Sequence, residues 1–203
     1  MLFRSNATST DSFSSAPDIN LDNATGTLAT MSPIDNDNKT IWTGRFTPTT
    51  DREVDNNTIT LAASWTDQVG NPGTSVTTSN FEVETLRPVA DNLTFSVTQG
   101  TTYNGTPGLK IGDNATLTVV FSEPVVSFSS ADDITADNVD LDNMTSSDNI
   151  TWTGTFTPTN NVQLSHQRLR LNTSYNDIKG NPGIAKNSSY YLVDTIAPSV
   201  ESL

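Results

Sequence analysis

Polar and apolar residues alternate with a period of two along most of this chain, and no apolar stretch repeats with a helical period. In the stretch from 115 to 121, Leu117, Val119 and Phe121 fall on one face. A strand with one wet and one dry face is typical of antiparallel sandwiches. The alternation recurs at Ile150, Trp152 and Phe156, at Leu169, Leu171 and Tyr175, at Tyr191 and Val193, at Ile59, Leu61, Ala63 and Trp65, and at Phe81 and Val83. We predict an all-β fold with about seven to eight short strands in each domain.

The alternating segments occur twice, 110 positions apart. The run I-W-T-G-R-F-T-P-T at 41–49 returns as T-W-T-G-T-F-T-P-T at 151–159, and Gly-Asn-Pro-Gly at 70–73 returns at 180–183. A fixed period of this length indicates tandem copies of one small domain. We assign residues 1–85 to a first sandwich, 86–195 to a complete second one and 196–203 to the start of a third. Other pairs at this spacing are Asp67 and Asp177, Glu84 and Asp194, and Thr85 and Thr195.

The first sandwich is predicted to be truncated at its N-terminus. The second copy has two strand-like segments, 93–97 and 115–121, before its Ser-Ser-Ala-Asp-Asp-Ile at 129–134, whereas the first copy reaches the matching Ser-Ser-Ala-Pro-Asp-Ile at 14–19 almost at once. The first five residues, M-L-F-R-S, resemble the translation of a sequencing-adapter sequence, ATG-CTC-TTC-CGA-TCT. We therefore interpret residues 1–5 as an artefact and the chain as a fragment.

Two further features predict irregular structure. In each Gly-Asn-Pro-Gly, Pro fixes φ at the first central position of a type II turn and the second Gly supplies the positive φ. We expect this turn to join the strand ending near Trp65 or Tyr175 to the last strand of its copy. The stretches 21–39 and 136–149 differ in length and are rich in Asp, Asn and Ser, so we predict that they are loops.

Composition narrows the classes of function. The net charge of −13 argues against binding to nucleic-acid backbones or to anionic lipid. Most of the acidic side chains are Asp, which suits turns and calcium ligation, or adaptation of the surface to salty water. The chain has no Cys, which excludes disulfides, thiolate metal sites and a Cys nucleophile. No run is long and apolar enough to predict insertion into a membrane.

Several motifs carry a resemblance to a known family. F-S-E-P-V at 121–125, A-D-D-I at 131–134, T-F-T-P-T at 155–159, the turn at 177–183 and D-T-I-A-P at 194–198 resemble bacterial Ig-like domains. Such domains stand in tandem in large surface adhesins and biofilm-associated proteins. The resemblance implies tandem immunoglobulin-like β-sandwiches that form an extracellular or cell-surface stalk, with neighbouring repeats as partners and calcium at the joints. The first joint departs from the pattern at Glu84, Leu86 and Arg87.

Calcium is the one cofactor that the sequence suggests. Six to eight oxygens must converge on this ion, so carboxylates from the joints and from nearby end loops are the candidates. No EF-hand loop or glycine-rich nonapeptide is present, and Asx-turn and capping roles are the competing interpretation. The candidate metal ligands are Glu84, Asp67, Glu123, Asp177 and Asp194.

Two other functions were weighed against the stalk. Trp42 and Trp152 could stack on sugar in a carbohydrate-binding or accessory module of a secreted enzyme, but their place in an apolar alternation favours core rings. Tyr103 and Tyr190 are freer to be exposed. Repeated Asn-x-Ser/Thr triplets, such as that at Asn92, would fit a glycosylated surface-layer subunit.

Catalysis has little support in the sequence. His166 is the one His of the chain, and the matching position in the first copy is Asn56. No Gly-x-Ser-x-Gly segment positions a nucleophile. We therefore predict that the chain is not an enzyme.

Overall fold

The chain divides into two compact units, which we describe separately. In a computed structural model, unit 1 spans Met1–Leu86 and unit 2 spans Arg87–Leu203. The structure describes residues 2–4, 18–34, 39–97 and 101–202. The segment at 14–17 that we used to align the two copies therefore lies outside the described residues.

Unit 1 is built from short antiparallel strands. They form a sheet of order β1-β5-β4, a sheet of order β2-β8-β9, and the two-stranded pairs β3-β6 and β10-β7. The strands are β1 (Leu2–Arg4), β2 (Ile19–Asn20), β3 (Gly26–Leu28), β4 (Ser32–Pro33), β5 (Ile41–Thr43), β6 (Phe46–Pro48), β7 (Glu53–Asn57), β8 (Thr60–Leu61), β9 (Val76–Thr77) and β10 (Phe81–Glu84).

Unit 2 has the same plan with additional strands. One sheet has the order β11-β14-β18-β17, a second has the order β12-β13-β23-β19, a third has the order β16-β20-β22, and β15 pairs with β21. The strands are β11 (Ala90–Val97), β12 (Thr101–Tyr103), β13 (Thr106–Leu109), β14 (Ala115–Phe121), β15 (Val125–Val126), β16 (Ile134–Thr135), β17 (Val139–Leu141), β18 (Thr151–Pro158), β19 (Gln163–Gln167), β20 (Arg170–Leu171), β21 (Asn176–Asp177), β22 (Lys186–Asn187) and β23 (Tyr191–Asp194), with one helical turn, α1 (Ser130–Asp133).

The alternation in the sequence sets the core of unit 2. Leu117 and Val119 are fully buried on β14, while Thr116 before them is exposed and Thr118 between them is half-buried. Tyr191 on β23 and Tyr175, just before β21, also reach zero exposure and belong to the same core. The period of two therefore predicted the inward face of each long strand correctly, and the all-β sandwich is confirmed.

The core of unit 1 is smaller. Ile59, Leu61 and Trp65 are buried, as the alternation predicts. Ala63 of the same series is exposed, because β8 ends at Leu61 and a turn follows. The prediction of Ala63 as an inward residue is therefore wrong.

The two units use matching residues for matching contacts. Ser64 donates a hydrogen bond to the Asp18 carboxylate in unit 1, and Ser174 donates one to the Asp133 carboxylate in unit 2. The backbone carbonyls of the same two Asp residues each accept an amide proton from the adjacent strand region at 2.7 Å. Both carboxylates are almost fully buried. A repeat in sequence is thus also a repeat of hydrogen bonding.

The strands are shorter and more numerous than the sequence predicts. In each unit the pairing between the last strand and its antiparallel neighbour shifts register. The shift lies between Phe81 and Val83 of β10, which pairs with β7, and between Leu164 and Gln167 of β19, which pairs with β23. Such irregularities divide a strand, which alternation alone does not reveal. The stretches 21–39 and 136–149 also contain β3, β4 and β17, so the prediction that they are wholly loop is wrong.

The N-terminal strand takes a defined place in unit 1. Phe3 lies opposite Trp42 on β5, as Val119 lies opposite Trp152 on β18. β1 is therefore the counterpart of the end of β14. In the described part of unit 1 no strand corresponds to β11, β12 or β13. The interpretation of residues 1–5 as an artefact stays a prediction.

The Gly-Asn-Pro-Gly turn differs from the type II turn that we predicted. Positive φ angles occur at the first Gly of each motif, +90° at Gly70 and +92° at Gly180, and not at Gly73 or Gly183. The last Gly is needed for space, because a Cβ on Gly183 would lie within the ring of Tyr175. The turn also leads into a short strand, β9 or β22, before the last strand. The contact with the Tyr175 ring explains why the last residue of the motif is Gly. Rules based on local turn conformation do not include this contact, so they gave the wrong reason for the Gly.

Candidate functional site: the anchored ends of the repeat

The residue directly after the last strand of each unit is a Thr held by hydrogen bonds. In unit 2 the Thr195 hydroxyl donates to the carbonyl of Thr159 (2.8 Å) and accepts from the amide of Val162 (2.8 Å). The Thr195 amide in turn donates to the carbonyl of Val162 at 2.7 Å. Since Thr195 is buried, these bonds fix the point at which the chain leaves the sandwich. We call this arrangement the end anchor.

Unit 1 has the same end anchor. The Thr85 hydroxyl donates to the carbonyl of Thr49 (2.6 Å) and accepts from the amide of Arg52 (3.1 Å). The amide of Thr85 donates to the carbonyl of Arg52 at 2.7 Å. In both copies the partners of the anchor lie at the end of the shared F-T-P-T run, 46–49 or 156–159, and three residues after it, so the repeated sequence builds the anchor twice.

The first residues of unit 2 are tied down at a second point, which we call the start anchor. The Arg87 guanidinium donates through Nε to the carbonyl of Pro182 (2.8 Å) and through one terminal nitrogen to the carbonyl of Gly183 (2.6 Å). The carbonyl of Pro88 accepts from the amide of Ile184 at 3.1 Å. The Gly-Asn-Pro-Gly turn thus holds the segment that begins the repeat.

Lys186 extends the start anchor along β11. Its ammonium group donates to the carbonyls of Ala90 (2.7 Å) and Asp91 (2.8 Å). Hydrogen bonds from a charged group are about twice as strong as neutral ones. Arg87, where the sequence departs from the family pattern, therefore helps to hold the first residues of unit 2 in place.

The Asp before each turn organises the turn itself. One Asp177 oxygen accepts from the amides of Lys179 (2.8 Å) and Asn181 (2.9 Å), and the other accepts from the Asn181 side chain (2.8 Å). Burial acts to raise the pKa of Asp177, but the hydrogen bonds from Asn181 and the turn amides outweigh it, and the pKa lies below its usual value. The carboxylate is thus kept charged by the turn that it closes.

Asp67 makes the same bonds in unit 1. It accepts from the amides of Val69 (3.0 Å) and Asn71 (2.8 Å) and from the Asn71 side chain (2.8 Å). The side-chain hydrogen bond of Asn71, followed by its backbone bond, lowers the pKa of Asp67. Both candidate calcium ligands in this position therefore have an Asx-turn role, which was the competing interpretation.

The other candidate ligands lie at the joints and at the end of β14. Glu84 accepts from the amide of Leu86 (2.7 Å), and Asp194 accepts from the amide of Ile196 (3.2 Å) and from the Gln163 side chain (3.1 Å). Glu123 is half-buried after β14. Among the described side chains, no three of the types His, Cys, Asp and Glu are grouped so that they could hold a metal ion. Calcium at Glu84, Asp67, Glu123, Asp177 and Asp194 stays a prediction.

Comparison with known families decides the class of the protein. The family model described as bacterial Ig-like domain matches the chain twice, over residues 8–83 and 92–193. The chain belongs to the bacterial Ig-like domain family. The two matches fall on the two copies of the repeat, so the chain contains tandem Ig-like repeats.

Membership of this family bears on the activity and the location of the protein. Ig-like repeats of this family are generally non-catalytic modules, and they are typically found in surface or extracellular proteins. Searches of curated proteins and of solved structures gave no significant match to the chain. In the described part of the chain, no helix has the length and apolar character that crossing a membrane requires.

The aromatic candidates pack against the cores of the Ig-like repeats. Trp152 is half-buried and its ring lies 4.9 Å from that of Phe128, and Trp42 is half-buried with its indole N–H donated to the Lys39 carbonyl (2.8 Å). Both rings contribute to cores, as predicted, although neither is fully enclosed. Tyr103 and Tyr190 are exposed, also as predicted.

His166, the one His of the chain, lies on the surface of the second Ig-like repeat. Its ring meets the edge of Tyr190 at 5.6 Å, and its backbone adopts a positive φ of 61°. The guanidinium of Arg168 covers the same Tyr190 ring at 4.7 Å and donates to its hydroxyl at 2.8 Å. The Tyr190 ring is thus engaged by the neighbouring Arg168 guanidinium.

Sequence reasoning missed both anchors. Thr85 and Thr195 were recognised as a repeated pair, and their 110-residue spacing was the available signal. Their partners lie 33 to 36 residues earlier in the chain, and those of Arg87 lie 95 and 96 residues later. Contacts over such separations depend on the sheet topology, which the alternation does not specify.

Proposed function

We propose that this chain is part of the stalk of a large secreted or cell-surface adhesin-like protein, in which Ig-like repeats hold distance between an attachment point and a distal region. The observation that carries the proposal is the anchored end: Thr85 and Thr195 tie the residue before each joint into the sandwich. A spacer must transmit tension from one joint to the next without unravelling. Hydrogen bonds at the point where the chain leaves the sandwich resist that tension first.

The proposal is supported by charge as well. The net charge of −13 makes neighbouring copies of such an array repel each other, which favours an extended array and solubility. Salt screens this repulsion over about 8 Å at physiological ionic strength. Tandem repeats whose contacts are mainly with their neighbours are suited to this spacer role.

We expect that Thr195→Val lowers the force at which unit 2 unfolds. The substitution leaves the Val162 amide and the Thr159 carbonyl without their partner in a buried place, which costs about 1–3 kcal/mol. The measurement is single-molecule stretching of the full chain from its two ends. The matched control is Thr157→Val, which changes an exposed Thr on β18 and should leave the force unchanged. An equal force for the wild type and Thr195→Val would contradict the tension-bearing role of the end anchor.

We further propose that calcium stiffens the joints through Glu84 or Asp194. This part is supported by the position of both carboxylates in the last strand before a joint and by the preference of calcium for oxygen ligands. Chelation is then expected to widen the range of angles between the two units, which small-angle scattering of the full chain measures. Identical scattering curves with calcium and with chelator would remove calcium from the proposal and leave the spacer role intact.

A further inference from the structure

A group of cationic and aromatic side chains lies together on the surface of unit 2. The Arg168 guanidinium lies over the Tyr190 ring, 4.7 Å from its centroid, and donates to the Tyr190 hydroxyl at 2.8 Å. The His166 ring meets the edge of the Tyr190 ring, with 5.6 Å between the two ring centroids. Arg170 follows two residues after Arg168, and its side chain is more than half exposed. We call His166, Arg168, Arg170 and Tyr190 the cationic cluster.

Unit 1 has the same hydrogen-bonded scaffold at this place. In unit 2 the Ser188 hydroxyl accepts from the Leu169 amide at 3.0 Å, and the Ser188 amide donates to the Leu169 carbonyl at 2.9 Å. In unit 1, Thr78 and Ile59 make the same two bonds at 3.0 and 2.9 Å. The strands next to these residues also match, since β20 pairs with β22 as β8 pairs with β9.

The surface side chains on this scaffold differ between the two units. Each member of the cationic cluster has an uncharged polar counterpart 110 residues earlier, and these counterparts are Asn56, Thr58, Thr60 and Asn80. The side-chain amide of Asn80 donates to that of Asn56 at 3.3 Å, and the hydroxyls of Thr60 and Thr77 lie 2.8 Å apart. Because the scaffold forms in unit 1 with these residues, it needs neither positive charge nor an aromatic ring at these positions.

The backbone at His166 also distinguishes unit 2. His166 adopts a left-handed conformation with a φ of +61°, and Asn56 at the matching position has no positive φ. A residue with a side chain adopts this conformation at a cost in free energy. Local strain of this kind is concentrated at functional sites. It therefore points to a use for the cationic cluster beyond the stability of the sandwich.

The charge of the cluster is opposite in sign to that of the chain, whose net charge is −13. In the part of the chain that the structure describes, the carboxylate that pairs with the cluster is that of Asp137, 3.6 Å from Arg170. Both side chains of this pair are more than half exposed, and such surface pairs contribute little to stability. Arg168 has five N–H donors, of which the bond to Tyr190 uses one, so the others can serve a ligand.

We propose that the cationic cluster binds a polysaccharide that carries carboxylate groups, a polymer of uronic acids. The planar guanidinium of Arg168 or Arg170 matches a carboxylate in two parallel hydrogen bonds. The Tyr190 ring is 44% exposed and offers an apolar surface to the C–H groups of a sugar ring. Because Tyr190 already holds Arg168 in position, less side-chain freedom is lost when the ligand binds.

Denser polyanions fit this surface less well. A DNA duplex carries one negative charge for about every 1.7 Å of its axis. Where such a duplex extends beyond the cluster, the net charge of −13 repels it. A uronic acid polymer carries one carboxylate for each sugar, with apolar C–H groups between them, so its charges match a small cationic cluster on an acidic protein. This binding goes beyond the spacer role, which does not depend on it.

The probe that tests the site is a short oligogalacturonate, titrated into the full chain by calorimetry at low salt. Saturable binding with one site is expected. Arg168→Thr and Tyr190→Asn each introduce the residue that unit 1 has on the same scaffold, so the fold should be kept, and each should weaken binding about tenfold or more. The matched control is Lys179→Thr, which removes one positive charge from an exposed turn outside the cluster and should leave the affinity unchanged.

Amide chemical shifts of the full chain locate the ligand. Residues 166–170 and 187–190 should shift during the titration, and the matching residues 56–60 and 77–80 should not. The proposal is overturned by absence of saturable binding, by equal shifts in the two units, or by Lys179→Thr weakening the binding as much as Arg168→Thr. Equal affinity for neutral dextran would overturn it as well, because charge would then not be recognised. Tighter binding of dextran sulfate or of a DNA duplex at the cluster would overturn the assignment to uronic acids.

Discussion

Gly183→Ala is expected to destabilise unit 2 severely. The new Cβ would fall within the ring of Tyr175, which has zero exposure and whose hydroxyl donates to the carbonyl of Ile184 at 2.8 Å. Neither the ring nor the turn can move without breaking the start anchor. Overpacking of a dense core costs about 1–3 kcal/mol and more where the neighbours cannot shift, so we expect a loss of about 3 kcal/mol or more.

The matched control for this substitution is Gly180→Ala in the same turn. Gly180 has a φ of +92°, and a Cβ there would meet no atom within 4 Å. Its cost is therefore backbone strain alone, about 1–2 kcal/mol. Urea unfolding followed by the fluorescence of Trp152, the one Trp of unit 2, measures both variants. If Gly183→Ala were no more harmful than Gly180→Ala, the ring contact would not be the reason for this glycine.

Phe156→Ala is expected to cost much more than the matching Phe46→Ala. Phe156 is fully buried between Phe95 and Tyr191, and removal of a buried Phe side chain costs about 3–5 kcal/mol. Phe46 contacts Phe81 but is half-buried, so less apolar surface returns to water and we expect about half that loss.

The pair of Phe variants can be measured in the same full chain. Hydrogen exchange with peptide-level resolution reports the stability of each unit separately, since the two have separate cores. The control is Phe46→Leu, which keeps most of the apolar volume and should change the stability of unit 1 little. Equal losses for Phe156→Ala and Phe46→Ala would show that the Phe46 site is as well covered as its counterpart.

The sequence predicted the fold well because the fold depends on periodic features. Alternation over 115–121 identified the inward residues of β14, and the 110-residue period identified two copies of one domain. The alternation reports burial, which is encoded locally in each strand, and the period reports the duplication of the domain directly. The family match over both halves confirmed the Ig-like sandwich.

The parts that sequence reasoning missed depend on contacts between distant segments. Gly183 was assigned to a type II turn because Pro-Gly favours one, but the ring of Tyr175 eight residues earlier decides the need for glycine there. Arg87 looked like a departure from a motif, and its carbonyl partners lie at the far end of the unit. The sequence predicts calcium at Asp177 because carboxylates in loops suit that ion, and this stays a prediction; the structure adds three hydrogen bonds that Asp177 makes within five residues.

The start anchor also affects the order in which the parts of unit 2 can fold. Arg87 and Ala90 are made early, yet the groups that hold them, the Pro182 carbonyl and the Lys186 ammonium, come about a hundred residues later. Loops of this length must close before the contacts can form, which slows folding. During synthesis unit 2 therefore cannot complete its start anchor until residues 182–186 have emerged.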